Sequence, residues 1–164
     1  MKKSDIRQEL VNLGSGAHVL AFQILGNSDD AADAVHDAFA KVLARPGAFD
    51  FRRGPLKPWF LRVVRNRCFD LLRNRRVSDP AIEELADPAL QPDHRLEIQQ
   101  RDEQLHRALS SISSDQRQIL VLRDYLDLSY AELASVLQIA PGTVMSRLHR
   151  ARLALKEVLN ANGE

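Results

Sequence analysis

At 164 residues the chain has room for one medium domain or two small ones, and its 23 Lys or Arg against 22 Asp or Glu leave no overall bias towards a polyanion. The single cysteine, Cys68, excludes a disulfide framework, and the five His lie scattered without carboxylate partners at helical spacing, so neither a metal site nor a cofactor is expected. Gly14, Ser15, Gly16 and His18 interrupt the apolar residues after the basic start, which predicts a soluble, cytoplasmic protein without membrane insertion.

Taken in chain order the periodicity is helical throughout, with no strand-type alternation, and predicts an all-α chain. A first helix or helix pair is expected from Ser4 to Leu25, broken near Gly14–Gly16 and ended by Gly26. Ser28, Asp29 and Asp30 supply caps and first-turn acids for a second helix that stops at Pro46-Gly47. The loop from Ala48 to Pro55 mixes Phe49 and Phe51 with Arg52 and Arg53. Pro58 then opens a long helix to about Arg76, with Phe60, Val64, Cys68 and Leu71 on one side and Arg62, Asn66, Asp70 and Arg73 on the other. Asn makes paired hydrogen bonds to an exposed base edge, and flanking Arg residues hold phosphates. The two Phe suit stacking on a base taken out of a duplex, with core packing an equally open alternative, while Trp59 reads as core.

Charge is segregated along the chain. Residues 41–76 carry eleven Lys or Arg against Asp50 and Asp70, whereas residues 77–104 set Arg95 and Arg101 against eight acids and include Pro80, Pro88 and Pro92. This predicts two small helical domains, 1–77 and 105–164, joined by an acidic Pro-containing linker, 78–104. In the second domain Ser113 and Gln116 form a capping box for a helix running through Asp124.

A second capping box, Ser129 with Glu132, opens a short helix, Gln138 and Ile139 make a turn, and Pro141 stands where a second helix begins. In that helix Val144, Leu148, Ala151 and Leu155 form a core stripe, leaving Thr143, Ser146, Arg147, His149 and Arg150 outside with no acid between Pro141 and Lys156. An ordinary solvated amphipathic helix would show the same stripe. The capped helix and tight turn ahead of it favour a helix-turn-helix that reads DNA in the major groove.

Three segments, 29–43, 59–73 and 109–155, resemble the extracytoplasmic-function (ECF) sigma factors of bacterial RNA polymerase. The resemblance implies a sigma factor, not an enzyme, that directs promoter-specific transcription initiation, with core RNA polymerase, promoter DNA and an anti-sigma factor as partners. It assigns core polymerase binding to Asp33, His36, Asp37 and Lys41. Recognition and opening of the minus-ten element fall on Phe49, Phe51, Arg52, Arg53, Arg62, Arg65, Asn66 and Arg73. Thr143, Met145, Ser146, Arg147, His149 and Arg150 would read the minus-thirty-five element. Met145 stands where similar sequences carry Lys or Arg, and His36 where Gln is usual. A stand-alone helix-turn-helix regulator is the main rival, but the last helix leaves no separate dimerisation domain before Glu164. A sigma-like decoy that sequesters an anti-sigma protein would not need Asn66, Arg147 and Arg150.

Overall fold

The structure, a computed structural model, describes residues 3–78 and 100–163, and every regular element among them is helical. The chain divides into two compact units between Pro88 and Ala89. The acidic stretch expected as a linker falls mostly on residues 79–99, outside the described residues. Its ends are helical: Ser78 closes one helix, and Asp102 and Glu103 sit in the first turn of another, where carboxylates suit the positive end of the dipole.

The first unit packs α1 (Lys3–Leu25), α2 (Ser28–Ala44) and α3 (Leu56–Ser78) against one another. The expected break in α1 does not occur. Its buried stripe of Ile6, Leu10, Ala17, Leu20 and Ile24 keeps helical phase straight through Gly14–Gly16. Gly14 serves contact instead: a Cβ built there would lie 3.3 Å from the Phe39 ring, so its bare backbone lets α2 approach. Gly26 ends α1 as expected, at φ 75°, its N–H bonded to the Phe22 carbonyl at 2.8 Å. The cap of α2 is Asn27, ahead of the expected Ser28, with its side chain accepting from the Asp30 N–H at 3.0 Å.

Small residues on α2, Ala31, Ala34 and Ala38, are buried and bring the helices close, and Phe39 stacks on Phe60 of α3 at 5.2 Å. Phe60, Val64 and Cys68 are wholly buried on one stripe of α3, as their spacing predicts, and Leu71 is half-buried. Pro58 lies within the first turn of a helix that starts two residues earlier, where its missing N–H costs nothing. Burial in this apolar setting pushes the Cys68 thiol up to about 12.

The second unit contains α4 (Gln100–Ser110), α5 (Ser114–Leu120), a π-turn (Val121–Tyr125), α6 (Tyr130–Leu137) and α7 (Pro141–Asn162). Both expected capping boxes are formed, Ser113 with Gln116 and Ser129 with Glu132. The helix expected through Asp124 is α-helical only to Leu120; it then widens, the Leu126 N–H reaching back to the Val121 carbonyl at 2.8 Å. Arg117 is buried with its guanidinium donating to the Ile112 carbonyl at 2.7 Å, so a charge that would be costly in a core is hydrogen-bonded there. Gln138 takes the left-handed conformation at φ 55° and turns the chain sharply between α6 and α7. Val144, Leu148 and Ala151 are buried beneath α6 and α5, which leaves the opposite face of α7 to solvent.

Candidate nucleic-acid interface

In the first unit the loop ahead of α3 does not present both Phe residues. Phe49 is buried, in edge contact with Phe51 at 4.5 Å and tilted against Trp59 at 5.0 Å. Its ring is covered by that cluster, which favours the core-packing alternative of the sequence reading over stacking on a base. Phe51, by contrast, is partly exposed, resting on Phe49 as on a pedestal. Trp59 is half-buried, consistent with its expected packing role. Asp50 caps the short turn that follows, accepting from the Arg52 N–H at 3.0 Å, and its carboxylate also pairs with the exposed guanidinium groups of Arg52 and Arg53. Such exposed pairs are weak and exchange readily for phosphate.

The outer face of α3 is uneven. Arg62 and Asn66 are exposed and have no partner among the described residues. Arg65 is half-buried over the Phe69 ring at 4.7 Å, a cation–π contact that fixes its guanidinium. Arg73 pairs with Asp70 one turn before it. Two further arginines leave this face and cross to α2: Arg67 binds Asp37 at 3.0 Å and Arg75 binds Asp30.

These crossings change the reading of α2. Asp33, His36 and Lys41 are exposed, but Asp37 is half-buried and engaged with Arg67. Asp37 therefore also ties α2 to α3. A shallow cleft of about 80 Å³ between the two helices is lined by Asp37, Lys41, Asn66, Arg67 and Asp70. The groups expected to meet polymerase and those expected to meet DNA thus share one groove.

In the second unit all six expected groups, Thr143, Met145, Ser146, Arg147, His149 and Arg150, are exposed on the first turns of α7. The Thr143 hydroxyl donates to the Ala140 carbonyl at 2.7 Å, closing the turn, and that of Ser146 donates to the Thr143 carbonyl at 3.1 Å. Arg150 folds back to the Ser146 carbonyl at 3.3 Å, whereas Arg147 has no partner among the described residues. Met145 exposes its thioether on the same face. Arg152, which shares the basic run in sequence, points elsewhere and is bound by both oxygens of Asp124 at 3.2 and 2.5 Å. That carboxylate raises the guanidinium pKa further above its ordinary value, with a smaller contribution from Tyr130. Sequence reasoning missed this pair, since no local signal joins residues 28 positions apart.

Comparison with known proteins agrees with both units. Residues 15–77 match the family described as Sigma-70 region 2, and residues 102–155 the one described as Sigma-70, region 4. The ECF RNA polymerase sigma factor SigE of Mycolicibacterium smegmatis is 32% identical over 145 residues, covering 85% of this chain and 56% of that protein. RNA polymerase sigma factor SigV of Bacillus subtilis is 31% identical over 138 residues, 80% of this chain and 77% of that one. Among solved structures, the sigma factor RpoE in complex with the anti-sigma factor NepR from Bartonella quintana is similar at a TM-score of 0.78 and 28% identity, covering 95% of this chain and 97% of that one.

Proposed function

Because the chain belongs to the ECF sigma factors, non-enzymatic subunits that direct promoter-specific transcription initiation, we propose that its two units divide that task between one face of α3 and one face of α7. The outer face of α7 carries the reading of a minus-thirty-five element, with Arg147 as the principal base reader and Thr143, Ser146, His149 and Arg150 beside it. In the first unit Arg62 and Asn66 contact the minus-ten element, Phe51 offers the exposed ring for an unstacked base, and Arg52 and Arg53 exchange Asp50 for phosphate. Arg65 and Arg73 take secondary places, since each is already held. Core RNA polymerase meets α2 through Asp33, His36 and Lys41. No described helix is long and apolar enough to cross a membrane. A site of action on the chromosome supports a cytoplasmic location. An anti-sigma factor is a further expected partner, as NepR is for the related RpoE.

The observation that carries this reading is the set of exposed hydrogen-bonding groups without partners among the described residues, Arg62 and Asn66 in one unit and Arg147 in the other, each beside a well-packed stripe. Joined in one chain and to polymerase, two modest contacts act at high effective concentration and yield one specific complex. In vitro transcription with core polymerase on a promoter library tests it. Initiation should depend on this chain and on two separate sequence elements. A chain that binds DNA as a dimer and gives no transcription with core would instead be a stand-alone regulator.

A further inference from the structure

The π-turn Val121–Tyr125 touches both helices of the helix-turn-helix through polar side chains. Arg123 donates to the Leu128 carbonyl at 2.7 Å and lies over the ring of Tyr130, 5.2 Å from its centre. It therefore fixes the loop in which Asp127 takes the left-handed conformation, and with it the first residue of α6. The next residue, Asp124, holds the Arg152 guanidinium on α7 through two hydrogen bonds. Consecutive side chains on a helix leave its axis about 100° apart, which lets one turn grip two different helices. The widened backbone matters here, because π-turns interrupt otherwise regular helices and often do so at functional places.

The Asp124–Arg152 contact has the geometry of a positioning device. It is a fork on a carboxylate, which fixes orientation as well as distance. It sits directly after the turns that carry Arg147, His149 and Arg150, and Asp124 neutralises the one arginine of the run that the exposed face does not use. On the reading that α7 contacts DNA, we infer that the Asp124–Arg152 pair sets the rotation of α7 on its core, and so selects which base edges Arg147 and His149 reach, without itself touching DNA. Both residues are half-exposed, so the pair adds little to stability, and its value lies in aim.

The test uses the full chain with core polymerase, transcription from promoters varied only in the minus-thirty-five element, and the salt dependence of binding. Four variants are compared: Asp124→Asn, Arg152→Lys, Arg152→Gln and, as control, Arg147→Ala. Lys keeps the charge of Arg152 but loses the fork, so it separates aim from charge. Asp124→Asn and Arg152→Lys should each lower the preference for the best element over single mismatches roughly fivefold, with salt slope and melting temperature nearly unchanged. Unaltered preference in both, while Arg147→Ala loses it, overturns the positioning role alone. If Arg152→Lys reads promoters normally and Arg152→Gln weakens all DNA equally with a salt slope smaller by about one, Arg152 is a phosphate contact and the inference is wrong. Normal transcription by Arg147→Ala removes the DNA-reading assignment of α7, and this inference with it. Should Asp124→Asn fail to fold, Arg152→Lys decides the question.

Discussion

The two units handle their arginines in opposite ways. On α3, Arg67 and Arg75 cross to acids of α2, Arg73 pairs with Asp70, and Arg65 is laid over Phe69, so that of the α3 groups expected to meet DNA Arg62 and Asn66 are the two without a partner among the described residues. On α7 the outward residues from Thr143 to Arg150 form no ion pair among the described residues, and the first paired cation is Arg152, beyond the exposed face. A basic run in sequence thus has two fates. In the first unit it is largely structural mortar with a small exposed face; in the second it is a continuous exposed face with one structural bolt. The linear charge count over residues 41–76 missed this, because Asp30 and Asp37, which take two of its eleven cations, lie outside that window on the preceding helix.

The comparison breaks first on stability. If arginine bridges merely trim a unit whose cohesion is apolar, Phe60→Ala should cost about 3–5 kcal/mol by denaturant unfolding, since it removes a wholly buried ring stacked on Phe39. A loss under 1 kcal/mol would mean that the ionic bridges hold α2 to α3. Alkali offers a second handle on the same unit. The Cys68 thiol is held neutral in the fold, so its pKa lies above the ordinary 9.0, at about 12. The unfolded chain loses that proton first, and stability should fall as pH rises from 9 towards 12, by on the order of a few kcal/mol. The difference between this protein and Cys68→Ala, followed across that range, isolates the contribution. Equal pH dependence in the two would show the thiol is not the cause.

Reading provides the next contrast. Arg147→Ala should lose about 1–3 kcal/mol of discrimination at particular minus-thirty-five positions, and Asn66→Ala a similar amount at one minus-ten base pair. Arg73→Ala should change discrimination far less, because Asp70 already holds that side chain. Measured preferences across a promoter library sort these cases, and Arg73→Ala matching Asn66→Ala would erase the distinction between mortar and reading face.

How much of this was legible depended on whether the signal was local. Ser113 with Gln116, Ser129 with Glu132, Pro141 and the Val144–Leu148–Ala151 stripe are all decided within about one or two helical turns, and each was found where the sequence put it. Gly14 was misread as a break because the reason for it, the Phe39 ring, lies on another helix. Phe49 looked available because a loop rich in charge offers little core to its neighbours in sequence, but Trp59 and Phe51 build a small apolar cluster around it. Asp37 looked like a partner-facing acid for the same reason: Arg67 meets it across 30 positions.

The smallest effect is the sharpest test of the split within α2. Asp33 and Asp37 lie one turn apart and are the same residue type, yet of the two only Asp37 has a partner among the described residues, the Arg67 guanidinium at 3.0 Å, with both side chains of that pair partly in water. Pairs of that exposure are worth about 0.2–1 kcal/mol, so a double-mutant cycle on Asp37→Ala and Arg67→Ala should return a coupling of that size in stability. Asp33→Ala should leave stability unchanged and weaken binding to core polymerase in a competition assay. The opposite pattern, with Asp33→Ala destabilising and Asp37→Ala weakening polymerase binding alone, would place the partner surface on Asp37. Because the cleft beside Asp37 also contains Asn66, loosening Arg67 has a second readout that Asp33 lacks. Asp37→Ala should slightly blur minus-ten preference through Asn66, and Asp33→Ala should not.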